Sequence, residues 1–162
     1  MKQVMSAQAA GAEQRLKELR IELPPAPTPL GAYVEAVQSG TLLFLSGTLP
    51  VQGREPKFVG RVGAELGVED GRRAAQLAAL NAIALARHHL GSLDKVKRVI
   101  RLGVLIAATT DFREHPKVAD GASELLVSVF GPDKTSTRLV FGVVSLPLGL
   151  AVALEIILEI DA

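Results

Sequence analysis

The spacing of apolar residues along the chain predicts three helices. In the longest, Glu69–Leu90, apolar residues recur every three or four positions and form one stripe. A second stripe begins beside Pro116, which suits the first turn of a helix, and ends before Gly131. A shorter helix is predicted over Glu13–Leu23, where two leucines lie three positions apart.

Shorter apolar runs predict five strands, at Ala32–Gln38, Thr41–Ser46, Val96–Ala108, Thr137–Leu146 and Val152–Ile160. Short turn sequences separate the first two strands and the last two, so each pair is expected to form a hairpin. The second strand is apolar on both faces, which predicts that both faces are covered. Residues 50–67 are rich in Gly and Pro and are expected to form a long irregular loop.

The order of these elements predicts an α+β fold. Four prolines between positions 24 and 29 end the first helix, so residues 1–29 are expected to form an N-terminal helix and a proline-rich arm. Residues 30–162 then form the main domain, whose order ββαβαββ indicates a sheet with two helices on one face. The last strand is apolar on both faces, and the helices suffice for only one. The chain is therefore expected to form an oligomer.

Composition excludes several classes of protein. The 162 residues contain no Cys, which excludes disulfides and Cys-ligated metal sites. A balance of 18 basic and 17 acidic residues is not the footprint of a nucleic-acid-binding protein. No apolar run reaches the length of a membrane span and no secretory signal is visible, so we expect a cytoplasmic protein with no membrane partner. No glycine-rich nucleotide motif occurs, and the histidines lack a third ligand at usable spacing. Neither a cofactor nor a metal is expected.

Two charged residues interrupt the apolar C-terminal strands. Arg138 opens one strand and Glu155 lies in the middle of the other. A guanidinium keeps its proton when buried, so it needs an anion or a water-filled cleft. Arg138 is therefore either a strand-end side chain that reaches solvent or a clamp for a carboxylate. Glu155 either lies on a solvated face or is a partly buried carboxylate that handles protons or orients water.

Several short motifs together resemble the reactive intermediate deaminase family, also called the YjgF/YER057c/UK114 family. They are Gly31-Ala32-Tyr33, Ser46-Gly47, Asp111-Phe112, Arg138, Leu146-Pro147 and Glu155. The resemblance covers roughly Leu30 to Ile160. Its strongest part is the spacing from Arg138 through Leu146-Pro147 to Glu155.

The resemblance implies a chorismate-mutase-like α+β sandwich that assembles as a homotrimer around a central barrel, with ligand clefts between subunits. It implies hydrolysis of reactive enamines and imines to 2-keto acids and ammonia, without a metal or cofactor. Arg138 would grip the substrate carboxylate and Glu155 would position the hydrolytic water. Tyr33 would line the cleft, and Gly47 would lie beside the ligand. Arg138 would then hold a counter-ion only when ligand is present.

The chain departs from the family pattern near the arginine. Thr-Ser-Thr precedes Arg138 where a Pro-Ala-type approach is usual, and Val140 replaces a frequent Cys, so we expect a divergent subgroup without thiol-based regulation. Two alternatives stay open. One is a non-catalytic trimer that binds small carboxylic acids as a sensor or scavenger. The other is an RNA-directed role as an endoribonuclease or translation inhibitor, against which the neutral charge and scarce aromatics argue.

Overall fold

The computed structural model describes residues 9–162, which form three α-helices and one main five-stranded sheet. The helices are α1 (Ala12–Glu18), α2 (Val68–Leu90) and α3 (His115–Phe130). The main sheet contains β1 (Ala36–Ser39), β2 (Leu42–Leu45), β5 (Val96–Ala107), β6 (Thr137–Val143) and β7 (Val152–Ile160). A separate small hairpin is formed by β3 (Val51–Gln52) and β4 (Glu55–Pro56).

The strand order in the main sheet is β1-β2-β7-β5-β6. The predicted hairpin between β1 and β2 is confirmed, whereas the predicted hairpin between β6 and β7 is wrong. β6 pairs with β5 in parallel, because α3 joins the two strands and a strand–helix–strand connection returns the chain in the same direction. β7 instead lies between β2 and β5, antiparallel to both.

Two predicted segments have different bounds in the structure. The first helix ends at Glu18 and not at Leu23, since Arg20 adopts a left-handed conformation with φ of 55°. Leu23 precedes a proline, and a residue in that position avoids the helical region. The loop predicted over residues 50–67 is not wholly irregular, because it contains the β3–β4 hairpin.

The core lies between the sheet and the two long helices, so the predicted α+β arrangement with both main helices on one face is confirmed. Every second residue of β7, from Val152 to Ile160, is buried on this side. α2 meets the core through a row of buried alanines: Ala74, Ala75, Ala78, Ala79, Ala82 and Ala86. Within residues 9–162 no helix is long and apolar enough to cross a bilayer.

The helices α2 and α3 approach each other closely through glycine. A Cβ atom added at Gly121 of α3 would lie only 2.1 Å from the carbonyl oxygen of Arg72 in α2. α1 also joins this layer, since Ala12 and Leu16 are buried in the same core. The ion pair between Glu13 and Arg87, at 3.0 Å, holds α1 against the end of α2.

The other face of the sheet is open in the single chain and carries exposed apolar side chains. Phe44 is 40% exposed, and Leu139 and Phe141 on β6 are 49% and 43% exposed. The prediction that both faces of β2 are covered is therefore wrong within one chain. An unpartnered apolar sheet face of this kind is typical of a surface that another chain covers.

Candidate functional site

Arg138 lies near the start of the edge strand β6, on the face that α3 covers. Its partner across the strand pair is Leu102, which is fully buried against the helices. Arg138 Nη1 donates to Asp120 Oδ1 at 2.7 Å and to Ser123 Oγ at 3.1 Å. The expectation that Arg138 has a counter-ion only when ligand is present is therefore wrong. Asp120, on the facing side of α3, already supplies one.

This contact holds the guanidinium in place but uses only one of its nitrogens. Nε and Nη2 of Arg138 make no hydrogen bond with any of residues 9–162. The side chain is 28% exposed and lines a cavity of about 200 Å³ together with Val99, Ser123, Lys134 and Ser136. The Nε–Nη2 edge is the part of a guanidinium that binds a carboxylate with two parallel hydrogen bonds. Arg138 is thus anchored and retains the capacity to bind an acid.

Glu155 lies on the opposite face of the sheet. Its partner in β5 is Gly103, and the row continues to Leu139 on the open face. Because successive residues of a strand point to opposite faces, this row and the row of Arg138 are separated by the sheet itself. Glu155 is about half exposed, and its Oε1 lies 3.8 Å from Arg101 Nε. A single chain therefore does not bring Arg138 and Glu155 together.

Tyr33 and Gly47 do lie together, at the end of the β1–β2 hairpin. They line one small cavity with Thr48 and Leu148. The hydroxyl of Tyr33 accepts a hydrogen bond from the backbone N–H of Leu30 at 3.0 Å, which fixes the ring over this cavity. Three strand spacings separate β2 from β6, so this cavity is about 14 Å across the sheet from Arg138.

The four residues singled out in the sequence thus occupy three places in one chain. Arg138 faces α3 at one edge of the sheet, Glu155 faces the open side in the middle, and Tyr33 and Gly47 lie towards the other edge. Arg138 has two partners, Asp120 and Ser123, that nothing in the sequence pattern indicates. Asp120 precedes Arg138 by 18 residues, so no local spacing connects the two.

The chain is similar to known proteins in both sequence and structure. The family model described as "YjgF/chorismate_mutase-like, putative endoribonuclease" matches residues 13–160. Protein TCP17 of Trypanosoma cruzi is 39% identical over 159 residues, which are 97% of this chain and 99% of that protein. A crystal structure of a protein with unknown function from Agrobacterium tumefaciens is 38% identical, with a TM-score of 0.85 over 93% of this chain and 92% of that chain. The 2-iminobutanoate/2-iminopropanoate deaminase of Dermatophagoides farinae is 30% identical over 142 residues, 87% of this chain and 95% of that protein.

Proposed function

We propose a function from one premise: the chain belongs to the YjgF/chorismate-mutase-like family, whose model spans residues 13–160. The proposed reaction is hydrolysis of a 2-imino acid, or of its enamine form, to a 2-keto acid and ammonia. The observation that carries the proposal is the anchored guanidinium of Arg138, whose Nε–Nη2 edge is available beside a cavity. The relative from Dermatophagoides farinae, named as a deaminase of 2-imino acids, supports the same reaction class.

The reaction requires little from the protein beyond orientation of the substrate and the water. Water adds to the imine carbon, a proton moves to nitrogen, and the carbon–nitrogen bond breaks to leave the keto acid and ammonia. The imine carbon is already electrophilic, so no strong protein nucleophile is needed. Arg138 would hold the carboxylate of the substrate, which fixes the position of the adjacent carbon. Glu155 would accept a proton from the water, a role that typically contributes about 10²–10⁴-fold.

We further propose that the site forms between subunits of a homotrimer. One chain keeps Arg138, Glu155 and the Tyr33–Gly47 cavity apart, and a second chain is the simplest way to combine residues from opposite edges of the sheet. The open face with Phe44, Leu139 and Phe141 supplies apolar surface for such an assembly. Association through this face would remove those side chains from water.

The proposal is tested with Arg138→Ala in a coupled assay that generates 2-imino acids in situ from a panel of amino acids. A substrate carboxylate left unpaired in a desolvated cleft loses about 2–5 kcal/mol. We therefore expect kcat/KM to fall between about 30-fold and several thousand-fold. Arg73→Ala, which removes an exposed arginine that makes no ion pair within residues 9–162, is the matched control. Unchanged turnover by Arg138→Ala would refute the assignment.

A non-catalytic acid-binding protein is the second candidate, and one observation favours it. Arg138 and Glu155 lie on opposite faces of the sheet, so an acid can bind to the arginine without meeting the glutamate. Glu155→Gln separates the two candidates. In an enzyme it lowers kcat while binding of a small 2-keto acid such as pyruvate is retained. If wild-type protein binds pyruvate but hydrolyses no imine in the panel, the acid-binding role is favoured.

A further inference from the structure

A second cleft lies at the carboxyl ends of the parallel strands β5 and β6. These strands end at Ala107 and Val143, which are paired, so the chain segments that follow them meet at one edge of the sheet. The cleft has a volume of about 340 Å³. Its polar lining comes from Arg61, Thr109, Thr110, Arg113 and His115.

Arg61 reaches into this cleft from the segment before α2. Its Nη2 donates to the carbonyl oxygen of Ala108 at 2.7 Å, which ties the guanidinium to the end of β5. Its Nε is buried and has no hydrogen-bond partner among residues 9–162. A buried charged donor without a partner is costly, and a bound anion would remove that cost.

Arg113 is held on the other side of the same cleft. Its Nη1 donates to the carbonyl oxygens of Thr110 and Phe112, at 2.9 and 3.1 Å. Like Arg61, it has no carboxylate within 4.0 Å among the residues described, whereas Arg72, Arg87 and Arg138 are all in ion pairs. Carbonyl oxygens orient these two guanidinium groups. The carboxylates of Glu65 and Asp111 attract them from beyond 4.0 Å and form no ion pair with them.

His115 adds an imidazole ring to the lining, and its nitrogens can donate or accept a hydrogen bond. Its ring packs edge-on against Phe112, with centroids 4.9 Å apart. Its Nε2 lies against the backbone of Gly142, where an added Cβ atom would come within 2.7 Å. Gly142 therefore leaves room for the imidazole at the wall of the cleft.

The acidic groups around the cleft are engaged elsewhere or lie outside its lining. Glu65 accepts the backbone N–H of Arg61 at 2.8 Å, and this hydrogen bond holds the pKa of the Glu65 carboxyl below its usual value. Glu114 forms an ion pair with Lys117. Asp111 is exposed on the connecting loop and does not itself line the cleft. A hydrogen bond from the side chain of Thr109, together with the nearby charge of Arg113, holds the pKa of the Asp111 carboxyl below its usual value.

We propose that this cleft binds a small oxyanion through Arg61 and Arg113, with His115 as an additional partner. A carboxylate and a phosphate share the oxygen geometry that guanidinium groups recognise, so either could supply the anion. The site is separate from Arg138. Arg138 and Gly142 are four positions apart along extended β6, a distance of about 13 Å. The proposal does not depend on the imine chemistry.

The test is calorimetric titration of the full chain at low salt with inorganic phosphate and, separately, with acetate. We expect at least one anion to bind, and the pair of titrations identifies which oxygen geometry is preferred. Arg113→Gln should weaken that binding about 10-fold or more, as should Arg61→Gln. These titrations use the Arg138→Ala background, so that a carboxylate held by Arg138 is not mistaken for one in the cleft. Arg73→Gln in that background should leave the binding unchanged.

A second measurement follows the imidazole of His115 by NMR. Anion binding beside the ring should shift the His115 resonances, while those of the exposed His88 and His89 should stay in place as internal references. The proposal is overturned if neither anion binds the Arg138→Ala chain. It is also overturned if the binding survives Arg61→Gln and Arg113→Gln in that background.

Discussion

Replacing Gly121 by alanine tests how tightly α2 and α3 are packed. An alanine Cβ would lie 2.1 Å from the carbonyl oxygen of Arg72 and 2.8 Å from its carbonyl carbon. Ordinary Cβ contacts begin near 3.4 Å, so the helices would have to separate locally by about 1.3 Å. The obstructing atoms belong to backbone, which cannot turn aside as a side chain does.

Two effects of opposite sign determine the result. Alanine is favoured over glycine inside a helix by about 1 kcal/mol. Forcing extra volume into a packed core costs about 1–3 kcal/mol, and more where the backbone must move. Because the contact is with backbone and far inside normal range, we expect the second effect to dominate. The net loss should be about 2 kcal/mol, or a fall in Tm of about 4–8 °C for a domain of this size.

Gly71→Ala is the matched control, since Gly71 lies on the facing helix α2. Its added Cβ would meet side-chain methyl groups of the buried Val118 and Val62, at 2.9 and 3.3 Å, so the clash is milder and is not with backbone. We expect its free energy of unfolding to stay within about 1 kcal/mol of wild type. Both variants should be measured by thermal and urea unfolding at one protomer concentration, because association shifts apparent stability. A Gly121→Ala protein as stable as wild type would refute the packing argument.

Two further predictions concern the site and the assembly. Asp120→Asn removes a negative charge that competes with a ligand carboxylate for Arg138. At this partly exposed position the competing charge is worth about 1 kcal/mol. Calorimetry should therefore show that pyruvate binds about fivefold tighter. Weaker binding would indicate that Asp120 mainly orients the guanidinium. Phe141→Glu places a charge on the open sheet face, so sedimentation velocity should show the proposed trimer converted to monomer. Leu19→Glu changes an apolar position of similar exposure beside α1 and should leave the trimer intact. An unchanged mass for Phe141→Glu would exclude this face from the interface.

The elements that the sequence predicted best are those with long, regular periods. The bounds of α2, β5 and β7 agree with the pattern to within one residue, since each carries a full apolar stripe or a buried alternation. The pairing of the strands could be predicted less well than their positions. The periodicity of β6 and β7 shows that they are strands but does not identify their neighbours, and the crossover through α3 determines the pairing of β6 with β5.

The candidate site could also be predicted only in part from the sequence. Arg138 and Glu155 were visible as charges within apolar strands, and the family resemblance suggested their roles. The register of the sheet, which places them on opposite faces, follows from long-range pairing that local spacing does not contain. The same limit applies to Asp120 and to the Arg61–Arg113 cleft, because each brings together residues from separate elements.

The central position of β7 has a consequence for how the chain folds during synthesis. Within residues 9–162 the β1–β2 hairpin and the β5–β6 pair have no direct pairing with each other. β7, which follows all four strands in the chain, joins them. Until residues 152–160 leave the ribosome, the two parts each expose a strand edge that is open to wrong partners. Loss of this segment would therefore produce two unjoined half-sheets rather than a slightly shortened protein. Closure of the sheet is also a long-range step, which is expected to make folding slow relative to the formation of the helices.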